Sequence, residues 1–155
     1  MKLLAMTLLI GLLIDRCTES GSEVVSPDTV LIRTGTSFGM CVGYCQYEYV
    51  LQGTTVTLTQ RTNGDPRQHP AKTCQFTLNA GVQNQLLTLI NFRRFSQQPT
   101  TIGCPDCADG GAEYIELQVG EEKHRVTFDY GRTIPGFEPL VDLLRQQRTQ
   151  FKSCN

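Results

Sequence analysis

The sequence predicts an α+β fold, a two-layer sandwich of about five or six antiparallel strands with two helices on one face. Three observations predict it. Five segments alternate apolar and polar residues as half-buried strands do, and a sixth, Thr29 to Arg33, is a short apolar run. Two further stretches, one from Asn79 and one from about Ile134, repeat apolar residues at helical spacing. The order is strand, hairpin, strand, helix, hairpin, helix. Consecutive hairpins build an antiparallel sheet, and one-sided helices cover one of its faces.

Each element follows from its residues. Tyr47, Tyr49 and Leu51 alternate with Glu48 and Val50. Beyond a turn at Gln52-Gly53, Val56 and Leu58 alternate with Thr55, Thr57 and Thr59, so the pair reads as a hairpin with one buried face. Turn chemistry at Asn63-Gly64-Asp65-Pro66 and near Pro70 precedes a strand carrying Cys74, Phe76 and Leu78. From Asn79, a suitable N-cap, Val82, Leu86, Leu89 and Ile90 share a helix face, and Phe92 and Phe95 tie its end to the core. Ile115, Leu117 and Val119, then Val126, Phe128 and Tyr130, form a second hairpin around Gly120-Glu121-Glu122. In the closing helix Phe137, Leu140, Val141 and Leu144 make the apolar stripe, while Arg145 and Arg148 suit the negative end of its dipole. The open face of the sheet is expected to carry Thr55, Thr57, Thr59, Glu116 and Arg125.

The N-terminus reads as an export leader. Met1-Lys2 gives a positive start to an uncharged apolar run, Leu3 to Ile14, which is too short for a membrane-spanning helix of roughly twenty residues. Residues 1–20 are assigned to a signal peptide or lipoprotein leader, 21–28 to a flexible tether, and 29–155 to a single α+β domain. Small residues at Thr18, Ser20 and Ser22 suit simple cleavage. Cys17 stands where a lipid anchor would be attached, although Arg16 occupies a position that a lipobox fills with a small residue. No second apolar run appears, so no transmembrane segment is expected in the mature chain. The location that follows is periplasm, outer envelope or extracellular space.

Charge is balanced. Fourteen Lys and Arg face fifteen Asp and Glu, with no basic run and no aromatics interleaved among lysines. Nucleic acid is therefore not an expected partner.

Cysteine carries the strongest chemical signal. Setting Cys17 aside, the seven cysteines leave six: Cys41, Cys45, Cys74, Cys104, Cys107 and Cys154. In an oxidising compartment they are disulfide candidates, with fifteen possible pairings. The long stretch from Ser96 to Gly111 needs fastening. Linking the Cys41/Cys45 loop to the Cys104/Cys107 loop would supply it, leaving Cys74 to pair with Cys154. The alternative is a zinc-binding or thiol-active protein, in which Cys41, Cys45, Cys104 and Cys107 form a four-thiolate site. A thioredoxin-like role for Cys-Pro-Asp-Cys conflicts with the helix-hostile Ala-Asp-Gly-Gly that follows it. The acids around Gly110-Gly111 lack the alternation of an EF-hand loop. His69 and His124 have no nucleophile arranged beside them in sequence, and no phosphate-binding glycine loop or nucleophile elbow is present.

Three segments stand out: Arg33-Thr34 through Ser37-Phe38-Gly39-Met40-Cys41 with Gly43-Tyr44-Cys45, Gly103-Cys104-Pro105-Asp106-Cys107-Ala108-Asp109-Gly110-Gly111-Ala112-Glu113, and Val126-Thr127-Phe128-Asp129-Tyr130-Gly131 leading to Pro139 and Leu140. Together they resemble a group of small exported bacterial domains of unknown function, common in Bacteroidetes-type genomes. The resemblance implies the fold and export, and carries no activity and no catalytic residue.

The sequence thus reads as an exported, disulfide-stabilised, non-enzymatic binding or interaction domain whose partner is an envelope protein or a small ligand. A ligand site is expected where the two cysteine loops meet, with Tyr44, Asp106, Asp109 and Glu113 at its edge. Glycines there let a partner approach the backbone, and the acids favour a cationic or hydroxyl-rich ligand. No resident cofactor is expected, zinc being the alternative.

Overall fold

The computed structural model describes residues 29–154. The segments expected to be a leader and a tether, and Cys17 with them, lie outside the described residues. Strands β1 (Val30–Ser37), β2 (Tyr44–Gln52), β3 (Thr55–Thr62) and β4 (Lys72–Thr77) are followed by helices α1 (Ala80–Leu89) and α2 (Phe92–Phe95). Strands β5 (Thr101–Ile102), β6 (Ala112–Val119) and β7 (Glu122–Asp129) precede helix α3 (Glu138–Gln150).

One sheet holds all seven strands in the order β4-β3-β2-β1-β6-β7-β5. The first four strands form a meander, and the β6–β7 hairpin adds beside β1, with Ile32 opposite both Leu51 and Leu117. Every pairing is antiparallel except that of β5 with β7. The α+β class holds. The expected five or six antiparallel strands become seven in a mixed sheet, and the expected two helices become three. The added pieces are a two-residue strand and a single turn of helix, too short to show a period.

Alternation decides which face is covered. Ile32, Leu51, Val56, Leu58, Ile115, Leu117, Val126 and Phe128 all point to one side and join Leu86 of α1, Phe95 of α2 and Leu140, Val141 and Leu144 of α3 in a single core. The helices therefore share one face of the sheet. Asn79 caps α1 by accepting a hydrogen bond from the Gly81 N–H at 2.7 Å. Pro139 stands at the start of α3, where a missing N–H costs nothing.

The opposite face is polar, as expected, and more highly charged than its threonines suggest. Glu116 accepts from Arg33 at 2.7 Å and from Arg125 at 3.0 Å, and the Arg125 guanidinium lies 4.2 Å from the centre of the Tyr114 ring. The Tyr114 hydroxyl donates to Glu48 at 3.1 Å. Burial and the Glu48 charge push that phenol well above its usual range, against the smaller pull of Arg125.

Three disulfides staple the described domain: Cys41–Cys45, Cys104–Cys107 and Cys74–Cys154, with Cα separations of 5.6, 5.4 and 5.5 Å. The Cys74–Cys154 couple is the expected one. The expected bridge between the two cysteine loops does not form, because each loop closes on itself. The loops are fastened to one another by other means. Asp106 accepts from Gly39 N–H at 3.2 Å and from Gly111 N–H at 3.1 Å. Gly111, at φ +82°, lets the Phe38 ring lie where a Cβ would stand.

Candidate functional site

Both cysteine loops leave the sheet at the same end. Ser37, the last residue of β1, pairs with Gln46 near the start of β2 and with Ala112 at the start of β6, so the segments following Ser37 and preceding Ala112 emerge side by side. The end of β7 is there too, since Ala112 also faces Asp129. Asp129 accepts from the Cys104 N–H at 2.9 Å, and the rings of Phe38 and Tyr130 meet edge to face at 4.9 Å.

At this end of the helix-covered face lies a cleft of about 440 Å³, walled by the sheet and by the second half of α3. Glu113 forms its floor. The residue falls on the inward phase of β6, the phase of Ile115 and Leu117, and is only 1% exposed. A carboxylate so placed must be paired. Arg145 donates through Nε to both carboxylate oxygens at 3.1 Å and through Nη2 to Oε1 at 2.9 Å. Arg148 donates through Nη2 to Oε2, and the Gly131 N–H donates to Oε1 at 2.9 Å. Burial alone would push the Glu113 carboxyl up. The hydrogen bonds from Arg145 and Gly131 and the charges of both arginines outweigh it, and the group is held below the usual carboxylate range.

The arginines are held in turn. Nη1 of Arg148 donates to the Thr34 hydroxyl at 2.6 Å, which itself donates to the Tyr114 carbonyl at 2.9 Å. Nη2 of Arg145 also donates to the Arg132 carbonyl. The Tyr49 hydroxyl donates to the Arg148 carbonyl at 3.4 Å, and burial raises that phenol despite the nearby Arg148 charge. Lys152, just past α3, completes the cationic wall, with Tyr47 and Tyr130 on the cleft's other sides.

The sequence-predicted site residues do not gather in one place. Asp106 is the strut between the loops. Asp109 is exposed, in a left-handed backbone conformation within the short 3-10 turn Cys107–Asp109. Tyr44 is pinned to the β3–β4 loop, its hydroxyl donating to the Pro70 carbonyl at 2.9 Å and its ring edge to face with His69. Glu113 faces the interior and the arginines of α3. Among the described residues, no three His, Cys, Asp or Glu side chains come together as a metal site. Cys41, Cys45, Cys104 and Cys107 are bonded within their own loops, a form in which sulfur offers no thiolate. His124 is structural, its Nε2 lying 2.9 Å from the Gln98 carbonyl and its ring edge to face with Phe95.

Arg145, Arg148 and Lys152 are the residues that sequence reasoning missed as a site. The available signal was Glu113 itself, a charge on an inward phase, which demands cations from elsewhere in the chain. Compared with known proteins, the chain matches no family model and no curated protein.

Proposed function

We propose that the chain is an exported, disulfide-stapled, non-enzymatic domain of the bacterial cell envelope that acts by binding. The observation that supports it is the state of the six cysteines of the described domain, all joined in three disulfides. Such bonds persist in oxidising compartments and are rare in the reducing cytosol. The apolar leader from Leu3 to Ile14 points the same way, as does the likeness of the cysteine segments to small exported bacterial domains. The binding surface is the end of the sheet where the cysteine loops and the α3 cleft adjoin, a rigid frame presenting loops and a concavity. The partner is an envelope protein or a small ligand, with no nucleic acid involved and a lipid anchor on Cys17 as one means of attachment.

The test is to produce the chain with its own leader in a bacterium with a periplasm, alkylate thiols in intact cells, and fractionate. The expected result is a chain shortened at its N-terminus, in the envelope or periplasmic fraction, that takes up label only after reduction. An added mass on Cys17 would identify the lipid anchor. A full-length cytosolic chain with free thiols would overturn the proposal. Bound zinc in that chain would favour a metal or thiol site at Cys41, Cys45, Cys104 and Cys107.

A further inference from the structure

The α3 cleft carries more positive charge than its own structure uses. Arg145, Arg148 and Lys152 line it against a single buried carboxylate, Glu113, and with the exposed Asp142 counted beside the exposed Lys152 one positive charge remains in surplus. Asp142 lies 3.9 Å from Arg145 Nη1, but its side chain is exposed and the pair is open to solvent. One guanidinium would have sufficed to neutralise one carboxylate.

The hydrogen-bonding capacity is likewise in excess. A guanidinium carries five N–H groups. Among the described residues, Arg148 directs one to Thr34 and one to Glu113, and Arg145 leaves both N–H groups of Nη1 without a hydrogen-bond acceptor. These donors sit on side chains already locked in place by a buried anion, so little rotamer freedom is lost when a second acceptor arrives. Fixed guanidinium forks match the paired oxygens of carboxylates and phosphates. The cleft is also of ordinary ligand-site size, and Tyr47 and Tyr130 give it aromatic sides.

We propose that this cleft binds an oxyanion, a carboxylate or phosphate group of a small ligand, held by Arg145, Arg148 and Lys152 over the Glu113 floor. The proposal rests on the reading of the chain as a binding domain and names the chemistry of what it binds. Glu113 acts as an internal competitor that positions the arginines and keeps the empty cleft stable.

The test is an NMR titration of the purified, disulfide-bonded chain with inorganic phosphate and with citrate, using sodium chloride at matched ionic strength as control. Saturable shifts in residues around Thr34, Glu113 and Arg148 are expected with at least one of the two anions. A response to phosphate alone or to citrate alone supports the site and names the oxyanion it prefers. Lys152→Glu changes a residue outside the buried cluster and is expected to weaken binding on the order of fivefold. Glu113→Gln, which frees guanidinium donors, is expected to tighten it, and where that variant fails to fold the Lys152→Glu result decides. Shifts that never saturate, that chloride reproduces, or that persist unchanged in Lys152→Glu would overturn the proposal. Those outcomes leave export and disulfide bonding standing, whereas free thiols or a cytosolic location would overturn the broader reading without touching the titration.

Discussion

Glu113 concentrates the chemistry of this fold in one side chain. A carboxylate on the core face of a sheet is tolerable only because Arg145, Arg148 and the Gly131 N–H all converge on it. Removing one member strands the others. Glu113→Ala should cost roughly 3–5 kcal/mol in urea unfolding, the range for breaking a buried ion pair. Its pH dependence has a definite sign. The folded pKa is depressed, so the contribution is complete above the ordinary carboxylate range and is lost as pH falls through the lower folded value. Glu113→Gln should therefore be less stable than the parent at neutral pH, with the gap closing in acid. A gap that widens in acid would contradict this account of the cluster. Leu117 and Leu144 are both fully buried in the core, and truncating either to alanine should cost roughly 2–5 kcal/mol in the same measurement.

At the scale of elements, sequence pattern and structure agree where an element is long enough to show its period. The β2–β3 and β6–β7 hairpins, the Asn79 cap and the apolar stripe of α3 were all legible, because each is set by neighbouring residues. β5 and α2 were not, since two or four residues carry no periodicity and are held by what they touch. Disulfide pairing was legible for Cys74 and Cys154 and not for the loops, where the spacing of four and of three also allows each pair to close locally. The three bonds should differ in value. Cys74–Cys154 spans 80 residues and joins the segment after α3 to the edge strand β4. On the chain-entropy model such a closure is worth about 4.5 kcal/mol, and a loop of four residues about 2 kcal/mol. The double variant Cys74→Ala, Cys154→Ala should therefore lower the urea midpoint more than Cys41→Ala, Cys45→Ala. The reverse order would mean that the short loops, rather than the C-terminal staple, hold the sheet.

For the whole molecule, a near-neutral net charge conceals local clusters in which cations outnumber carboxylates. On the exposed face of the sheet Glu116 is shared by Arg33 and Arg125, in partly exposed pairs where solvent screens the one charge left over. The cleft at the end of the other face sets Arg145, Arg148 and Lys152 against the buried Glu113, in a site from which solvent is partly excluded. Those clusters were invisible in composition because balance over a chain says nothing of balance within a site. Glu113 was singled out in the sequence, but with its neighbours Asp106 and Asp109, since adjacency in sequence is legible and the phase of a strand against a helix over thirty residues away is not. The cysteine loops do meet, as their shared glycine density suggested, through Asp106 and Phe38 rather than through sulfur.

The proposed role as an exported binding domain rests on three intramolecular disulfides, bonds that persist in oxidising compartments. The most direct measurement is peptide mapping of the alkylated, unreduced chain by mass spectrometry, with metal analysis of the same preparation. The account predicts three linked pairs, Cys41 with Cys45, Cys74 with Cys154 and Cys104 with Cys107, and no bound zinc. Alkylated, unlinked Cys41, Cys45, Cys104 and Cys107 together with stoichiometric zinc would contradict it.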